Sequence, residues 1–555
     1  MKRHSNKSAL PPRTARQPLP PIRQSRAVSL PVRAVFAQLL AIAAFLLIAS
    51  LLQTSVIDPN AYRKEHILYW SDHALVNIAI LLVLLAGAVF ALFRLRGRTD
   101  RIPMRAVKIA LAVWVFGMSC LWAFSIRSIP EADSARVVEA ARLAAAGDFS
   151  FFGAKLQYFQ MFPYQLGIVA FYEPFFRLFG GGAYAALWLT NAAALAAGEL
   201  ALVTLAEALF PDRRAALATA VLLALCPQPV LFCSFLYGNL PGLAAMLWAF
   251  VLVVRLLNGA RARSVVWIAL LCALGVALKS NSWIGVAAIV LTLLISLPER
   301  FRPAKLVCCA AVVAAPLLLT RAVQAGYEQR ADIRLGGGTP QTAWLVMGFS
   351  ESERAPGWYN GYSYSVLKDA GWDTDRARQI IAWDLAERLD ALTATPGALG
   401  SFLLKKTLSQ WNEPSFESIW ISKVKQHEAA LPVFAESVYN GAAGEALGVW
   451  FEHETSLLYA AFAAGMLALL LRKHPDTPQE SGAFAAPSRA ALLLPALCLL
   501  GGFVYHLLFE AKSQYTLSYL VMMVPYAAFG LTSLADFAAR LRRQSGNEAR
   551  LPPAL

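Results

Sequence analysis

Apolar residues along the chain fall into long continuous runs separated by short polar segments. Each run has roughly the 17–26 residues that a helix needs to cross the hydrocarbon core of a membrane. Backbone groups cannot stay unpaired in lipid, so such runs form helices or a closed barrel. Barrel strands alternate in polarity, whereas these runs are continuous Leu, Ala and Val, which predicts an all-α polytopic membrane protein. About twelve transmembrane helices are predicted, near 33–53, 72–94, 105–127, 184–209, 213–233, 238–256, 264–280, 282–297, 304–323, 456–471, 488–509 and 515–540.

The composition supports this prediction. Of the 555 residues, 57% are hydrophobic and 15% are charged, whereas a soluble domain is about 45–50% apolar and about 25% charged. The seven cysteines lie in or at the ends of apolar runs, and none lies in the longest polar segment. The sequence therefore does not predict a disulfide framework.

The formal net charge of +15 first raises the question of a nucleic-acid partner. Lys and Arg are instead clustered in short segments between apolar runs, without a basic face of interleaved aromatics, so no nucleic-acid partner is predicted. If the basic tail at 1–33 is cytoplasmic, every connection assigned to the cytoplasm is basic. The pattern predicts a multi-pass protein of the cell membrane, surrounded by membrane lipids, with both termini in the cytoplasm.

One apolar segment, 163–179, carries Glu173 and two prolines. Counting it as a span would place the basic segment FPDRR outside, so we predict an interfacial or re-entrant helix there. The chain then divides into a basic tail, a membrane domain with a large outer loop, a soluble outer insert, further membrane helices and a short tail. These parts are predicted at 1–33, 34–323 with the loop at 127–183, 324–455, 456–541 and 542–555.

The first candidate for chemistry is IPEADSARVVEAARLAAAGDF, which follows the third run. Val137, Val138 and Ala141 form one apolar face, which predicts a helix lying along the membrane surface. Glu131 and Asp133 lie at the start of this helix. Asp133 could cap the helix or act as a carboxylate base at the membrane boundary, and the spacing alone leaves both interpretations open.

Two predicted outer turns carry further polar residues. Lys279 interrupts an apolar hairpin in KSNSW, either as a lysine that extends to the interface or as a cation that faces an anionic headgroup. Tyr237 and Asn239 lie in FLYGNLPG, where the glycine, asparagine and proline also indicate an ordinary turn. Spacing alone does not separate the functional from the structural interpretation at either turn.

The string YHLLFEAKSQYTLSY places Glu510, Lys512 and Tyr515 at the outer end of the last helical hairpin. Ionisable residues next to hydrocarbon are costly and are often functional, so we predict a functional site here. We expect Lys512 to lie in an outer loop, where its removal costs little stability. The candidates predicted on this same outer face are Asp133, Lys155, Tyr237, Lys279, Glu510 and Lys512. A carboxylate together with several lysines suits an amphiphile with a phosphate head.

Taken in order, these motifs resemble the GT-C membrane glycosyltransferases, in particular the bacterial branch related to protein O-mannosyltransferases and the lipid A aminoarabinose transferase. The resemblance covers most of 105–540 and rests on EAD, AGDF, YFQMFPYQ, FLYGNLPG and FEAKSQYTLSYLVMMVPY. It implies a GT-C-like fold and sugar transfer from a polyprenyl-phosphate donor. It also implies that Asp133 is the base and that Lys279 and Lys512 contact the donor phosphate.

Two features depart from that family. The family usually places its acidic loop after the first span, whereas two spans and a basic tail come first here. The family often has two adjacent acids, whereas Ala132 separates Glu131 from Asp133. Because helix residues two apart point to different sides, we expect only Asp133 to face the site.

The resemblance thus implies a glycosyltransferase that moves a hexosyl or pentosyl group from a polyprenyl-phosphate donor to an envelope glycan, lipid or protein on the outer face. No cofactor is predicted, because only HEAA and FEHET give weak support for a divalent metal. The alternatives are a transporter or flippase of a lipid-linked precursor, which leaves the large insert unexplained, and a non-catalytic scaffold. The predicted site residues are Asp133 as the catalytic base, and Glu131, Lys155, Tyr237, Asn239, Lys279, Glu510, Lys512 and Tyr515 for substrate binding.

An aromatic run within the predicted insert, SERAPGWYNGYSYS, contains Trp358, Tyr359, Tyr362 and Tyr364. Aromatic rings stack on sugar faces, but they also pack in cores. The run therefore adds a sugar-contact hypothesis and leaves ordinary packing as its alternative.

Overall fold

The computed structural model describes residues 26–59, 65–153, 157–423, 431–472 and 488–548. These residues form helices and one two-stranded antiparallel sheet, β1 (Gln53–Ile57) and β2 (Ile67–Ser71), so the predicted all-α class is confirmed. In chain order the helices are α1 (Arg26–Leu52), α2 (Ala74–Arg94), α3 (Met104–Ile126), α4 (Ala132–Ala145), α5 (Tyr158–Met161), α6 (Leu166–Phe179), α7 (Ala183–Leu209), α8 (Arg213–Ala224), α9 (Gln228–Leu231), α10 (Asn239–Leu257), α11 (Ser264–Leu278), α12 (Ser282–Ile295), α13 (Pro303–Ala331), α14 (Ala343–Gly348), α15 (Tyr362–Asp369), α16 (Thr374–Thr393), α17 (Ala398–Trp411), α18 (Trp420–Lys423), α19 (Val433–Asn440), α20 (Ala442–Leu471), α21 (Leu493–Leu508) and α22 (Ser513–Glu548).

Within the described ranges, nine helical segments are long and apolar enough to cross a membrane. The bent pair formed by α8 and the segment containing α9, with an angle of 45° between its halves, would make a tenth. Helices α11 and α12 are apolar but have only 15 and 14 residues. Together these segments correspond to the twelve predicted runs, and the polytopic architecture is confirmed.

The connections between the long helices gather at two ends of the bundle. At one end, Arg213 Nη2 donates to the Ile102 carbonyl oxygen at 2.7 Å, and Arg214 Nη2 donates to Asp536 Oδ1 of α22 at 2.8 Å. This end, called the basic face, also carries the Arg-rich connections at 95–103, 258–263 and 296–302. An excess of Lys and Arg is typical of the cytoplasmic side.

The orientation of the termini stays a prediction that reporter fusions can test. Fusions after residues 100 and 545 should report the cytoplasm. A fusion at residue 400 should report the other side, because α17 packs against the end of α21 that lies away from the basic face, where Lys406 Nζ donates to the Leu507 carbonyl oxygen. Each fusion should be made with two reporters that are active on opposite sides. A cytoplasmic signal at residue 400 would contradict the orientation.

Helix α6 lies along the end of the bundle opposite the basic face. A Cβ atom at Gly167 would lie 2.1 Å from the carbonyl oxygen of Ala277, at the end of α11. The Tyr172 hydroxyl accepts a hydrogen bond from the Gly238 amide, just before α10, at 3.1 Å. Both contacts are with ends of helices on the same side of the membrane. The interfacial or re-entrant helix predicted at 163–179 stays a prediction, because length and hydropathy join this segment to α7 in one apolar helical stretch, Pro163–Leu209.

The predicted outer insert is largely helical. It contains α16 and α17, which have 20 and 14 residues. The neighbouring helices α13 and α20 are longer than their apolar runs, so the boundaries predicted at 324 and 455 fall inside them. A small separate core joins the insert to α5 and consists of Met161, Ala343, Val346, Val366, Leu367, Ala370, Ala377 and Ile381.

Glycines allow α20 and α22 to approach closely. A Cβ atom at Gly530 would lie 2.0 Å from the carbonyl oxygen of Ala461, and one at Gly465 would lie 2.3 Å from that of Tyr526. Membrane helices associate through such close packing, because lipid is as apolar as their side chains. The contact fixes α22, whose first turn follows the predicted site residue Lys512.

Gly530→Ala should therefore destabilise the protein by about 1–3 kcal/mol, the usual cost of overpacking. A lower melting temperature of the detergent-purified protein would show this. The matched control is Gly87→Ala in α2, where an added Cβ atom has no neighbour within 4 Å. Equal melting temperatures for the two variants would contradict the proposed helix contact.

Candidate active site

A cavity of about 520 Å³ lies between the insert and the end of the bundle opposite the basic face. Its walls come from the 127–183 loop, the turns before α10 and α12, the insert and the turn between α21 and α22. Among its lining residues are six of the predicted site residues, namely Asp133, Tyr237, Lys279, Glu510, Lys512 and Tyr515. The tertiary structure therefore gathers at one cavity residues that are widely separated along the chain.

Helix α4 places Asp133 at the wall of this cavity. Its face with Val137 and Ala141 is buried, as predicted for a surface helix. The N-cap position is held by Glu131, which makes no side-chain capping bond, so Asp133 is not the capping residue. Between the two acids, Ala132 has a φ of 49°, a left-handed conformation that costs an L-residue about 1–3 kcal/mol. Asp133 thus directly follows a strained backbone position.

A buried tyrosine orients the Asp133 carboxylate. Tyr237 Oη donates to Asp133 Oδ2 at 3.4 Å and accepts from Gln165 Nε2 at 2.8 Å. The hydroxyl of Tyr158 lies 3.1 Å from that of Tyr237. Burial raises the pKa of Tyr237 well above its usual value, so its hydroxyl keeps its proton and remains a donor. These connected hydrogen bonds keep the Tyr237 hydroxyl at the Asp133 carboxylate.

Lys279 lies where the polar cavity meets a narrow apolar cavity of about 90 Å³ inside the bundle. Its Nζ lies 4.8 Å from the ring centre of Tyr237 and 5.3 Å from that of Tyr515, which are favourable cation–π contacts. In the part of the chain that the structure describes, this ammonium has no ion-pair partner. Burial lowers the pKa of Lys279 to about 8, although Asp133 and Glu510 act in the opposite direction. The side chain is therefore still charged at neutral pH.

Glu510 is a second acid of the cavity wall. Its backbone N–H donates to the carbonyl oxygen of Trp344 at 2.8 Å, which fixes the backbone of the turn. Its Oε1 is buried without a hydrogen-bond partner among the described residues. Burial raises the pKa of Glu510 to about 7, although Lys512 lowers it. The carboxyl group can therefore donate or accept a hydrogen bond near neutral pH.

The surroundings of Lys512 contradict the expectation that its removal costs little stability. Its side chain is only 12% exposed, and its Nζ lies 2.5 Å from both carboxylate oxygens of Glu65. Arg354 Nε lies 3.1 Å from the same carboxylate. Glu65, just before β2, and Arg354 of the insert cover the turn that contains Lys512, and the large sequence separation hid this contact. Lys512 is therefore held by an ion pair at the cavity wall.

The other predicted residues lie beside the main cavity or outside the described residues. Glu131 lines a neighbouring pocket of about 220 Å³, which Asp133 also borders. Asn239 lines the apolar cavity, and its Oδ1 is buried without a partner in the described part of the chain. Lys155 lies outside the described residues.

Sequence reasoning missed four charged residues of this region, one of which is Arg136 of α4 at the cavity wall. Glu65 and Arg354 line the cavity with Lys512. Lys406 is fully buried below it, and burial lowers its pKa to about 7. Charged residues within apolar stretches, such as the lysines of SFLLKKTL, were the available signal. Lys406 Nζ donates to the carbonyl oxygens of Gly348 at 2.6 Å, Phe509 at 2.9 Å and Leu507 at 3.0 Å.

The aromatic run of the insert divides between core and cavity. Trp358 is fully buried, and its Nε1 donates to Ser409 Oγ at 2.8 Å, so the hypothesis that Trp358 contacts sugar is wrong. The Tyr362 hydroxyl donates to Asp384 within the insert. Tyr359 and Tyr364 line the cavity. Only these two rings of the run are placed for stacking on a ligand.

Across the described ranges, the His, Cys, Asp and Glu side chains form no group of three or more that could hold a metal ion. The prediction about cofactors stays a prediction. The site is described by its carboxylates, its cations and the hydrogen bonds between them.

Neither a known protein family nor a curated protein matches the chain. Among solved structures, it is similar to the archaeal oligosaccharyltransferase AglB from Archaeoglobus fulgidus in complex with an inhibitory peptide and a dolichol-phosphate, with 15% identity and a TM-score of 0.38 over 82% of this chain and 53% of that chain. It is also similar to the Archaeoglobus fulgidus oligosaccharyltransferase tethered to an acceptor peptide with the NVT sequon through a disulfide bond, with 14% identity and a TM-score of 0.35 over 81% of this chain and 52% of that chain. The chain thus spans about half the length of these structures. At these TM-scores the likeness is loose, so the function has to be inferred from the chain's own residues.

Proposed function

We propose that this protein is a membrane glycosyltransferase that moves a sugar from a polyprenyl-phosphate donor to an acceptor hydroxyl on the outer face. The observation that carries the proposal is the position of Lys279 between an apolar cavity within the bundle and a polar cavity with three acids. A lipid-linked sugar has an apolar chain, an anionic phosphate and a polar sugar in the same order. The start of its prenyl chain fits the apolar side, its phosphate fits at Lys279, and its sugar fits the polar cavity.

Asp133 has the position of a general base in this proposal. The acceptor oxygen attacks the anomeric carbon, the bond from that carbon to the phosphate oxygen breaks, and the acceptor proton moves to Asp133. A single displacement of this kind inverts the anomeric configuration. The products are the glycosylated acceptor and polyprenyl phosphate.

The lysines have different roles in this scheme. Lys279 stabilises the negative charge that develops on the leaving phosphate, because its ammonium has no carboxylate partner among the described residues. Lys512 is held by Glu65 and is therefore proposed as a positioning residue rather than as the main phosphate contact. Glu510 and Tyr359 face the space left for the sugar. They can hydrogen-bond its hydroxyls and stack on its ring.

A transfer assay tests the proposal directly. The detergent-purified protein is incubated with a panel of radiolabelled polyprenyl-phosphate sugars and an envelope extract as the acceptor source. We expect label to move to the acceptor together with release of polyprenyl phosphate. A transporter or flippase moves its substrate between compartments, which micelles lack, so it would give no transfer. Absence of transfer with every donor would reject the glycosyltransferase proposal.

The pH dependence of sugar transfer should show the titration of Lys279. We expect kcat/KM for the donor to fall as the pH rises through about 8, because burial lowers the pKa of Lys279 to about 8. The side chain is a cation below that pH and a neutral amine above it. Lys279→Arg should remove this alkaline limb, since Arg stays charged to a pKa above about 12.

Lys279→Met is the matched control, and it should be weakly active at every pH. An alkaline limb near pH 8 that persists in Lys279→Arg would assign the titration to another group. Melting temperatures of the three proteins separate this effect from unfolding.

A further inference from the structure

Helices α6 and α13 enclose an open groove of about 490 Å³ on the flank of the protein. This groove shares no lining residue with the polar cavity or with the apolar cavity. Its walls are mostly apolar, with Ala170, Pro174, Leu178, Ala322, Val323 and Gly326 among the lining residues. The remaining lining residues are Glu173, Arg177, Tyr327 and Arg330.

These four polar residues leave one positive charge at the groove. The buried Glu173 carboxylate accepts hydrogen bonds from the guanidinium groups of Arg177 and Arg330, each at 2.6 Å, and from the Tyr327 hydroxyl at 2.5 Å. One carboxylate thus faces two guanidinium cations. The side chains of Arg177 and Arg330 are still 54% and 37% exposed.

Arg177 retains hydrogen-bonding capacity toward an anion. A guanidinium group has five N–H donors, and Arg177 uses its Nε and Nη2 on Glu173. In the described part of the chain its Nη1 donates no hydrogen bond. The Nη1 group carries two N–H donors, and arginine is a strong binder of phosphate.

The surroundings of the groove are those of a lipid site. Leu178 and Leu318 are 76% and 69% exposed, and a Cβ atom added at Gly326 would have no neighbour within 4 Å. Arg177 and Arg330 lie in the last turns of their helices. The guanidinium groups therefore lie at the level of the lipid headgroups, and the apolar walls extend from there toward the hydrocarbon.

We propose that this groove binds one anionic phospholipid of the surrounding bilayer, with its phosphate at Arg177 and Arg330 and an acyl chain along α13. The single net positive charge favours an anionic headgroup over a zwitterionic one. Arg330 Nη2 also donates to the carbonyl oxygen of Ala144, at the end of α4, at 3.2 Å. The bound lipid therefore supports the helix that carries Asp133 at its other end.

The test compares lipids on the full-length protein. The delipidated protein is titrated with phosphatidylglycerol or phosphatidylcholine in detergent, and retained lipids are counted by native mass spectrometry while melting temperatures are recorded. Phosphatidylglycerol should bind and raise the melting temperature. Arg177→Gln, which removes the exposed cation, and Gly326→Phe, which fills the groove without changing charge, should each weaken this binding by about tenfold or more.

Arg334→Gln is the matched control, because Arg334 follows the end of α13 and does not line the groove. It should bind phosphatidylglycerol like the unmodified protein. Gly326→Phe keeps the test informative if Arg177→Gln fails to fold. Equal binding of the two lipids, or unchanged phosphatidylglycerol binding in Gly326→Phe, would overturn the proposal. A polypeptide that co-purifies and cross-links at the groove in place of lipid would also overturn it.

Discussion

Asp133→Asn should lower sugar transfer by at least about 100-fold while the protein stays folded. An amide cannot take the acceptor proton near neutral pH, and loss of a general base costs about 10²–10⁴-fold in rate. Folding should survive because Asn has nearly the same size and its amide oxygen can still accept the hydrogen bond from Tyr237. Initial rates of the transfer assay give the effect on activity, and the melting temperature in detergent gives the effect on folding.

Glu131→Gln is the matched control for this prediction. Glu131 lies two residues away on the same turn and borders the neighbouring pocket rather than the main cavity, so this variant should transfer sugar normally. Normal transfer by Asp133→Asn with an inactive Glu131→Gln would show that Glu131 is the base. Normal transfer by both variants would remove the catalytic role from α4 altogether.

Lys512→Ala should destabilise the protein by about 3 kcal/mol. Removing one partner of a buried ion pair usually costs about 3–5 kcal/mol, because the other charge stays buried without compensation. Here the cost should be near the low end, since Arg354 remains 3.1 Å from the Glu65 carboxylate. The melting temperature of the purified variant should fall, and transfer should fall with it because the turn also holds Glu510.

A double-mutant cycle with Glu65→Gln separates the ion pair from other effects. The double variant should lose less stability than the sum of the two single losses, by about 0.5–3 kcal/mol, as expected for residues in contact. Lys405→Ala is a useful comparison, because Lys405 lies on α17 and makes no ion pair within the described residues. Additive losses for Glu65 and Lys512 would show that the contact contributes no stability of its own.

The continuous apolar runs alone were enough to predict the membrane helices. The twelve predicted runs and the amphipathic helix with Asp133 follow from local composition, because a helix in lipid must pair its backbone groups within itself. Each such helix is therefore encoded in its own segment. The charged connections likewise gather the arginines on one face.

The order of the polar motifs also indicated which turns belong to the site. Glu510, Lys279 and Tyr237 were recognisable because ionisable and polar residues next to hydrocarbon are rare. Six of the predicted residues do line one cavity. The sequence could not show how far apart they would lie, or which of the lysines would already have a partner.

Those points were decided only by the tertiary structure. Glu65 meets Lys512 across 447 positions of sequence, and Trp358 enters the core by bonding Ser409 rather than facing the cavity. The two long helices that flank the insert also extend past the limits of their apolar runs, which hydropathy does not record. Contacts of this kind depend on how separate segments pack, and no local pattern of residues specifies that packing. The same physical reason explains why the membrane spans were predictable and the ion pairs of the site were not.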